Sequence, residues 1–230
     1  MPVAILAGGL ASRLRPVTDK IPKALVDING EPFIAHQLRL LQRKGIRRVV
    51  LCLGYRGEMV QAFVGDGGGF GLTVAYAFDG PVLRGTGGAI HAALPLLDDE
   101  FFVLYGDSYL PCDYGAVEKA FRKSAQPGLM TVFRNDGRWD ASNVEFSAGR
   151  ILAYDKKNGT PRMHHIDYGL GVFHRRVFAH MAPGSVHDLA ALYARLLARG
   201  ELAAWESPER FYEAGSTAGI RELSELLKHW

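Results

Sequence analysis

Short apolar runs recur along the first half of the chain, and glycine or polar residues separate them. Runs of this kind are typical of strands that are covered on both faces. They predict strands at Val3–Leu6, Arg48–Leu53, Leu72–Phe78 and Phe101–Tyr105. Between them, apolar side chains at helical spacing predict helices at Phe33–Lys44, Glu58–Val64 and Gly87–Leu97, the last with Thr86 placed to cap it.

The second half of the chain has a different pattern. Strands are predicted at Leu129–Phe133, Asn143–Phe146, Ile151–Tyr154, Ile166–Phe173 and Leu202–Trp205, with a hairpin turn at Ala148–Gly149. Helices are predicted at Arg175–Met181, His187–Arg199 and Thr217–Leu227. Strands that alternate with helices favour an α/β fold. We therefore predict a Rossmann-like mixed, mainly parallel sheet flanked by helices, in a single domain over residues 1–230.

Composition narrows the classes of protein. The net charge of +3 is mild, and no basic cluster suggests a nucleic-acid partner. No apolar run is long enough to span a membrane, and the short apolar start lacks the basic region of a signal peptide. The two cysteines are too few for a disulfide framework. These features predict a cytoplasmic enzyme that binds neither nucleic acid nor a membrane.

The segment after the first strand carries the first candidate chemistry. Gly8 and Gly9 let the main chain approach a ligand closely, because they have no Cβ. Arg13, Arg15 and Lys23 add fixed positive charge. Glycine-exposed N–H groups beside cations favour a polyphosphate site, whereas an ordinary turn with solvated basic residues is the simpler alternative.

Asp107 follows the fourth predicted strand directly. Ligands of open parallel sheets bind beyond the carboxyl ends of the strands, so this carboxylate is well placed to hold Mg²⁺ together with phosphate oxygens. The alternative is that Asp107 caps the following turn, which is a common use of aspartate.

The N-terminal segment resembles the signature of the sugar-1-phosphate nucleotidyltransferases. Residues 8–18 read Gly-Gly-Leu-Ala-Ser-Arg-Leu-Arg-Pro-Val-Thr, and Pro22-Lys23 follows them. The resemblance implies a fold of the nucleotide-diphospho-sugar transferase type, with a nucleotide-binding half at 1–128 and a sugar-binding half at 129–230. It implies that Arg13 binds the β- and γ-phosphates and that Lys23 neutralises the α-phosphate. The residues implied to hold the nucleotide are Leu6, Ala7, Gly8 and Gly9.

Arg84 to Ala89, Arg-Gly-Thr-Gly-Gly-Ala, resembles a second segment of this family. The resemblance implies that Thr86, Gly87 and Gly88 bind substrate. Arg84 departs from the usual leucine. It is interpreted as a solvated side chain, with contact to a base edge or a phosphate as the alternatives.

Two later segments resemble the sugar side of the family's site. Asp155-Lys156 stands where the family has Glu-Lys, so Lys156 is implied to orient the sugar phosphate, with Lys157 as its competitor and Asn158 in place of the usual proline. The resemblance also implies contacts to the sugar from Asn143 and from the strand entry formed by Asp167, Tyr168 and Gly169. A surface Lys-Lys pair and a core strand with a buried tyrosine are the alternatives.

Phe211 to Thr217 resembles the family's C-terminal segment, in which an aspartate is the second metal ligand. This chain has Glu213 there, which is one methylene longer. The resemblance therefore implies Mg²⁺ on Asp107 and Glu213. The alternative is that Glu213 accepts hydrogen bonds beside the metal, which Asp107 and the phosphates hold.

Together the segments imply the reaction of a nucleoside triphosphate with a sugar 1-phosphate to give a nucleotide sugar and pyrophosphate. The compact length and the Gly-Thr-Gly-Gly-Ala-Ile segment resemble those of the heptose and mannose 1-phosphate guanylyltransferases. This resemblance implies GTP with D-glycero-α-D-manno-heptose 1-phosphate or mannose 1-phosphate, for surface polysaccharide synthesis. Alternatives are a uridylyltransferase acting on N-acetylmuramic acid 1-phosphate, a non-catalytic regulatory subunit, and a metal-dependent glycosyltransferase. A homodimer is possible.

Overall fold

The computed structural model describes residues 1–9, 14, 17–80 and 82–228. Within these ranges the strands are β1 (Val3–Leu6), β2 (Asp27–Ile28), β3 (Glu31–Pro32), β4 (Arg48–Leu53), β5 (Thr73–Phe78), β6 (Glu100–Tyr105), β7 (Ser108–Tyr109), β8 (Gly128–Arg134), β9 (Val144–Ser147), β10 (Arg150–Tyr154), β11 (His165–His174), β12 (Leu202–Glu206) and β13 (Tyr212–Glu213). The α-helices are α1 (Phe33–Arg43), α2 (Gly57–Val64), α3 (Gly85–Ala93), α4 (Tyr114–Ser124), α5 (Leu189–Ala198) and α6 (Thr217–Leu227).

A nine-stranded mixed sheet forms the centre of the described structure. Its strands follow the order β10-β9-β11-β6-β1-β4-β5, and β8 joins β11 to β12. Strands β6, β1, β4 and β5 are parallel neighbours. Strand β11 runs antiparallel to β6 and β8, and β12 lies parallel to β8. The predicted α/β fold with a mixed sheet flanked by helices is confirmed.

Strand β1 shows why helices cover both faces of this sheet. Val3 and Ile5 belong to a core cluster with Leu38 of α1. Ala4 points to the other face, where it belongs to a cluster with Ile90 of α3. All five side chains are fully buried or nearly so. Burial of each large aliphatic side chain contributes about 1.5–3 kcal/mol relative to its exposure, so the alternating apolar positions of β1 fix the helices on both sides.

The chain leaves the carboxyl end of β6 in close contact with the carboxyl end of β1. The Gly106 N–H donates to the carbonyl oxygen of Leu6 at 3.1 Å. A Cβ on Gly106 would overlap that oxygen and would lie 2.8 Å from the Cα of Ala7. Glycine is therefore required where the chain leaves β6, and Asp107 follows it directly at the edge of the sheet.

The two-residue strands β7 and β13 bring a distant segment to the same edge. They pair antiparallel with Glu213 opposite Ser108, and the Ala214 N–H donates to the carbonyl oxygen of Asp107 at 2.8 Å. This pairing places the glutamate beside the aspartate that ends the β6 segment.

Several helices differ from those predicted. Helix α4 was not predicted, although Asp113 caps it by accepting from Ala116 N at 3.0 Å and Val117 and Phe121 are buried at helical spacing. At 175–181 the structure has a shorter 3-10 helix, Arg175–Phe178.

The predicted Gly87–Leu97 helix also needs correction. Helix α3 spans Gly85–Ala93 and continues into a 3-10 turn at Leu94–Leu96. Pro95 lies in that turn and lacks the N–H that another α-helical bond would need. None of the helices in the described ranges combines the length and apolarity that a membrane span requires.

Candidate active site

A cavity of about 470 Å³ opens at the carboxyl ends of β1 and β6. Its wall includes the four described side chains that were predicted to act in chemistry, namely Lys23, Lys156, Asp107 and Glu213. Other predicted substrate-binding residues on the wall are Leu6, Ala7, Gly9, Thr86, Asn143, Tyr168 and Gly169. Arg13 lies outside the described residues. The structure thus gathers most of the predicted site around one space.

Lys23 and Asp107 form an ion pair at the base of this cavity. The Nζ of Lys23 lies 2.7 Å from Oδ2 of Asp107, and the lysine side chain is 17% exposed. Lys23 begins a short 3-10 helix directly after Pro22, whose fixed φ restricts the chain at that point. The lysine ammonium is therefore held at the end of β6, where it can reach an anionic ligand.

Glu213 is held in place by the turn that follows it. Its carboxylate accepts from the Gly215 N–H and the Ser216 hydroxyl. A Cβ on Gly215 would overlap the Glu213 carboxylate, and it would lie 2.7 Å from Lys23 Nζ and 3.3 Å from Asp107 Oδ2. The lysine and both carboxylates therefore surround one point, and the absent side chain of Gly215 leaves room for them.

The two carboxylates form a donor set that Mg²⁺ accepts. This ion prefers oxygen ligands and is usually held by one or two carboxylates together with substrate phosphates. Asp107 and Glu213 face the same space beside Gly215. In the described part of the chain, no cluster of three or more His, Cys, Asp or Glu could hold a metal by itself. A cation at this pair would need oxygens from a ligand to complete its coordination.

Lys156 is presented by a tight turn. Oδ1 of Asp155 accepts from Lys157 N at 2.8 Å and from Asn158 N at 2.9 Å, and these backbone hydrogen bonds lower the pKa of Asp155. A proline at position 158 could not make the second of these bonds, because proline has no N–H to donate. Lys156 Nζ lies 5.7 Å from the centroid of the Tyr105 ring. Lys156 is on the cavity wall and Lys157 is not.

The part of the cavity wall beside Tyr105 carries two carboxylates and a hydrogen-bond network. The Asp167 carboxylate accepts from the Tyr105 hydroxyl and from Gly169 N, both at 3.1 Å, and the Asp167 N–H donates to Asn143 Oδ1 at 2.9 Å. Asp140 also reaches this wall. Asp167 was predicted at the sugar side of the site together with Tyr168 and Gly169, whereas Asp140 was not predicted from the sequence.

Tyr168 combines a core position with a place at this wall. Its side chain is 2% exposed, and its ring meets that of Phe211 edge to face at 6.3 Å. The alternative interpretation of a buried core tyrosine therefore describes most of its side chain. Phe211 joins it on the cavity wall.

The hydroxyl of Thr86, near the start of α3, does not make the predicted capping interaction. Helix α3 has Arg84 at its N-cap without a side-chain cap, so the predicted capping by Thr86 is wrong. The Thr86 hydroxyl donates to Asp188 at 3.0 Å and accepts from Leu189 N at 2.7 Å, which ties it to the start of α5. Arg84 is half-buried, in contrast to the solvated side chain predicted from the sequence, and its Nε donates to the Asp79 carbonyl oxygen at 2.8 Å.

The two glycines after Thr86 face away from the cavity. The N–H groups of Gly87 and Gly88 donate to the carbonyl oxygen of His187 at 2.8 and 3.3 Å. A Cβ on Gly88 would lie 2.7 Å from the Ser185 carbonyl oxygen. The structure brings Thr86 to the cavity, but it uses these two glycines for close contact between α3 and the segment before α5.

A second cavity of about 180 Å³ adjoins the first. Leu6, Gly9 and Thr86 lie on both walls. The predicted residue Gly8 lines only the second cavity, together with the buried carboxylate of Asp79. We call this second cavity the Asp79 slot.

Asp167→Asn should change how stability depends on pH. Burial raises the pKa of Asp167, so the folded protein holds this proton more tightly than the unfolded chain does. The charged form therefore destabilises the fold increasingly as the pH rises through the folded-state pKa. We expect the melting temperature of the variant, minus that of the parent, to be larger at about pH 8 than at about pH 4. Scanning calorimetry measures both melting temperatures.

Asp155→Asn supplies a control of opposite sign. The pKa of Asp155 is lowered by its hydrogen bonds to backbone N–H groups, so its charge stabilises the fold above the unfolded-state pKa, and that stabilisation is lost as the pH falls. This variant should be less stable than the parent at neutral pH, with the difference shrinking in acid. If the stabilities of the two variants, each relative to the parent, changed with pH in the same direction, the opposite pKa shifts assigned to Asp167 and Asp155 would be contradicted.

Comparison with known proteins identifies relatives with several substrates. N-acetylmuramate alpha-1-phosphate uridylyltransferase of Neisseria meningitidis is 27% identical over 100% of both chains. Mannose-1-phosphate guanylyltransferase of Mycobacterium tuberculosis is 30% identical over 86% of this chain and 55% of its own length. D-glycero-alpha-D-manno-heptose 1-phosphate guanylyltransferase of Campylobacter jejuni is 34% identical over 49% of this chain and 50% of its own. The chain thus spans about half the length of the last two.

Solved structures share the fold. HddC from Yersinia pseudotuberculosis, complexed with GMP-PN, superimposes with a TM-score of 0.81 at 21% identity, over 98% of this chain and 99% of that one. The inositol-1-phosphate CTP transferase from T. maritima gives a TM-score of 0.80 at 20% identity, over 99% and 94%. The sheet order and the flanking helices are therefore those of a known enzyme fold.

The family model described as nucleotidyl transferase matches residues 3–189. The match includes β1, the glycines that follow it, Lys23, Asp107 and Lys156, and it ends before Glu213. It covers most of the chain, including the two strands, β1 and β6, whose carboxyl ends border the cavity. This chain belongs to the nucleotidyl transferase family.

Proposed function

We propose that this protein is a sugar-1-phosphate nucleotidyltransferase that uses GTP. Its second substrate in this proposal is D-glycero-α-D-manno-heptose 1-phosphate or mannose 1-phosphate, for surface polysaccharide synthesis in the cytoplasm. The observation that carries the proposal is the single cavity in which Lys23, Lys156 and the Asp107–Glu213 pair meet. Two cations and two carboxylates around one space suit the joining of two phosphate-bearing substrates.

In the proposed reaction, an oxygen of the sugar phosphate attacks the α-phosphorus of the nucleotide. The bond from that phosphorus to the bridging oxygen breaks, and pyrophosphate leaves with the bonding electrons. The protein forms no covalent intermediate, so its contribution is positioning and charge neutralisation. Lys156 holds the attacking phosphate, and Lys23 neutralises charge at the α-phosphate.

Asp107 and Glu213 would hold Mg²⁺, which supplies charge neutralisation at the phosphates when it is bound. Arg13 is proposed to bind the β- and γ-phosphates. Residues 1–128 then supply the nucleotide side of the site, and residues 129–230 supply the sugar side.

The acidic wall favours a neutral sugar. Asp140 and Asp167 lie there with Asn143, and carboxylates accept hydrogen bonds from sugar hydroxyls. N-acetylmuramic acid carries an additional carboxylate, which the Asp140 carboxylate on this wall would repel. The second candidate, a uridylyltransferase acting on its 1-phosphate, is supported by the relative that matches this chain over its whole length.

A pyrophosphate-release assay tests the proposal. Each of GTP, UTP, CTP, dTTP and ATP is combined with mannose, heptose, glucose and N-acetylmuramic acid 1-phosphates in the presence of MgCl₂. We expect the highest kcat/KM with GTP and a neutral sugar phosphate. Preference for UTP with N-acetylmuramic acid 1-phosphate would establish the second candidate. Nucleotide binding without turnover would instead indicate a regulatory subunit, and sugar transfer to an acceptor would indicate a glycosyltransferase.

A further inference from the structure

The turn between β4 and α2 contacts both ends of the segment that follows β1. At the near end, the Tyr55 N–H donates to the Gly8 carbonyl oxygen at 3.3 Å, and a Cβ on Gly54 would lie 2.6 Å from that oxygen. At the far end, the Tyr55 hydroxyl donates to the Asp19 carbonyl oxygen at 3.0 Å. One turn therefore holds residues 8 and 19, which flank the stretch that carries Arg13 in the sequence.

Two side chains act together at the far end. Arg56 Nη2 donates to the same Asp19 carbonyl oxygen at 3.3 Å, and Arg56 Nε donates to the Tyr55 hydroxyl at 2.8 Å. The guanidinium carbon lies 5.3 Å from the centroid of the Tyr55 ring. Asp19 ends a 3-10 turn, Val17–Asp19, and the last carbonyl oxygens of a helical turn need partners from outside it. The tyrosine and the arginine supply them.

The backbone of Arg56 is strained where these contacts are made. Its φ of 52° and ψ of 31° place it in the left-handed region, which is costly for a residue with a Cβ and free of that cost for glycine. The Arg56 side chain makes no capping hydrogen bond to α2. It bonds to Asp19 and to the Tyr55 hydroxyl instead, so the strained residue supports a contact that glycine could not make.

Neither side chain touches the space where substrates would bind. As far as the described residues define them, the walls of the catalytic cavity and of the Asp79 slot include neither Tyr55 nor Arg56. Both can therefore act only through the backbone that they hold. A segment fixed at both ends loses less conformational entropy when a ligand orders it than a segment fixed at one end, and this preorganisation favours binding.

We propose that Tyr55 and Arg56 are positioning residues that hold the segment 8–19 for the polyphosphate of the nucleotide. This inference rests on the proposed function, in which the glycines after β1 and Arg13 bind the phosphates. It adds a determinant of nucleotide affinity that lies outside both cavities and acts on the phosphates rather than on the base or the sugar.

Inorganic tripolyphosphate, which carries neither base nor sugar, provides the test. Titration calorimetry with MgCl₂ measures its Kd and, separately, the Kd of GMP, which lacks the β- and γ-phosphates. Tyr55→Phe removes only the hydroxyl. It should raise the Kd of tripolyphosphate about three- to tenfold, the worth of one or two neutral hydrogen bonds. The Kd of GMP should change by less than about twofold.

Variants of Arg56 separate positioning from stability and from charge. Arg56→Gly relieves the left-handed backbone but loses both hydrogen bonds. It should melt within about 4 °C of the parent and yet bind tripolyphosphate about threefold or more weakly, whereas a merely structural role would lower both together. Arg56→Lys keeps the charge without the planar fork of donors. It should bind as weakly as Arg56→Gly, and full recovery would show that Arg56 acts through its charge.

Tyr76→Phe is the matched control, because the Tyr76 hydroxyl also donates to a distant backbone carbonyl, that of Gly65, and Tyr76 is on neither cavity wall. It should keep both parent Kd values. An unchanged Kd for tripolyphosphate in Tyr55→Phe, an equal rise for tripolyphosphate and GMP, or no tripolyphosphate binding by the parent would overturn the inference. If the expected differences are found but no sugar phosphate yields pyrophosphate, the proposed function fails and the positioning role stands.

Discussion

Lys23→Ala should lower kcat by about 10²- to 10³-fold, the usual effect of removing one preorganised electrostatic stabiliser. The Lys23 ammonium lies 2.7 Å from Asp107 Oδ2 and is largely buried at the end of β6, so water screens it poorly. In the proposed reaction, negative charge builds on the phosphoryl oxygens as pyrophosphate leaves. A fixed ammonium at that point favours the transition state over the bound substrates. Steady-state pyrophosphate release with saturating substrates measures the effect.

Lys157→Ala is the matched control for this variant. Lys157 neighbours Lys156 in the chain but is not on the wall of the cavity, so its removal should change kcat by no more than a few-fold. Because Lys23 also neutralises Asp107, each variant is compared at its own saturating Mg²⁺ concentration. Near-normal turnover of Lys23→Ala under those conditions would show that the proposed mechanism is wrong.

The parts of the fold that depend on local pattern could be predicted from the sequence. Strand β1 is a continuous apolar run and β4 is apolar after Arg48, and both were predicted with the bounds that the structure shows. The position of Asp107 followed from a general property of parallel sheets, whose carboxyl edges gather ligand-binding residues. Helix α4 could also have been found, because Asp113 precedes an amphipathic stretch.

Other features depend on contacts between distant segments and leave little local signal. Thr86 looks like a cap for the helix that contains it, yet its hydroxyl bonds to Asp188, 102 residues further along the chain. Asp140 lies in an irregular loop and reaches the cavity only because Asn135, fully buried beneath that loop, donates to its carbonyl oxygen at 2.6 Å. Strands β7 and β13 have two residues each, so no alternation of apolar and polar residues in the sequence could predict them.

Glu213, the second carboxylate beside Lys23, gives the second large expected effect. Glu213→Gln should reduce kcat/KM about 100-fold or more and raise the Mg²⁺ concentration needed for half-maximal activity about tenfold or more. The amide keeps the size of the side chain, but it leaves Asp107 as the one carboxylate of the pair beside Lys23. Chelation of divalent cations should abolish turnover of the parent, and added MgCl₂ should restore it.

The geometry of the turn also predicts an order among variants. Glu213 reaches past Gly215 to the Ser216 hydroxyl, so its longer side chain fits the backbone of this chain. Glu213→Asp keeps the charge but shortens that reach, so its activity should lie between those of Glu213→Gln and the parent. Glu222→Gln is the control, because Glu222 pairs with Arg210 and is not on the wall of the catalytic cavity.

Metal binding can be measured apart from turnover. Mn²⁺ serves as a paramagnetic probe, and its affinity is determined by electron paramagnetic resonance in the presence of a nonhydrolysable GTP analogue. Weaker Mn²⁺ binding in Glu213→Gln, with parent-like binding in Glu222→Gln, would place Glu213 on the cation. If Glu213→Gln bound Mn²⁺ as the parent does while losing activity, Glu213 would act by holding the Gly215–Ser216 turn in place, and Asp107 with the phosphates would hold the metal.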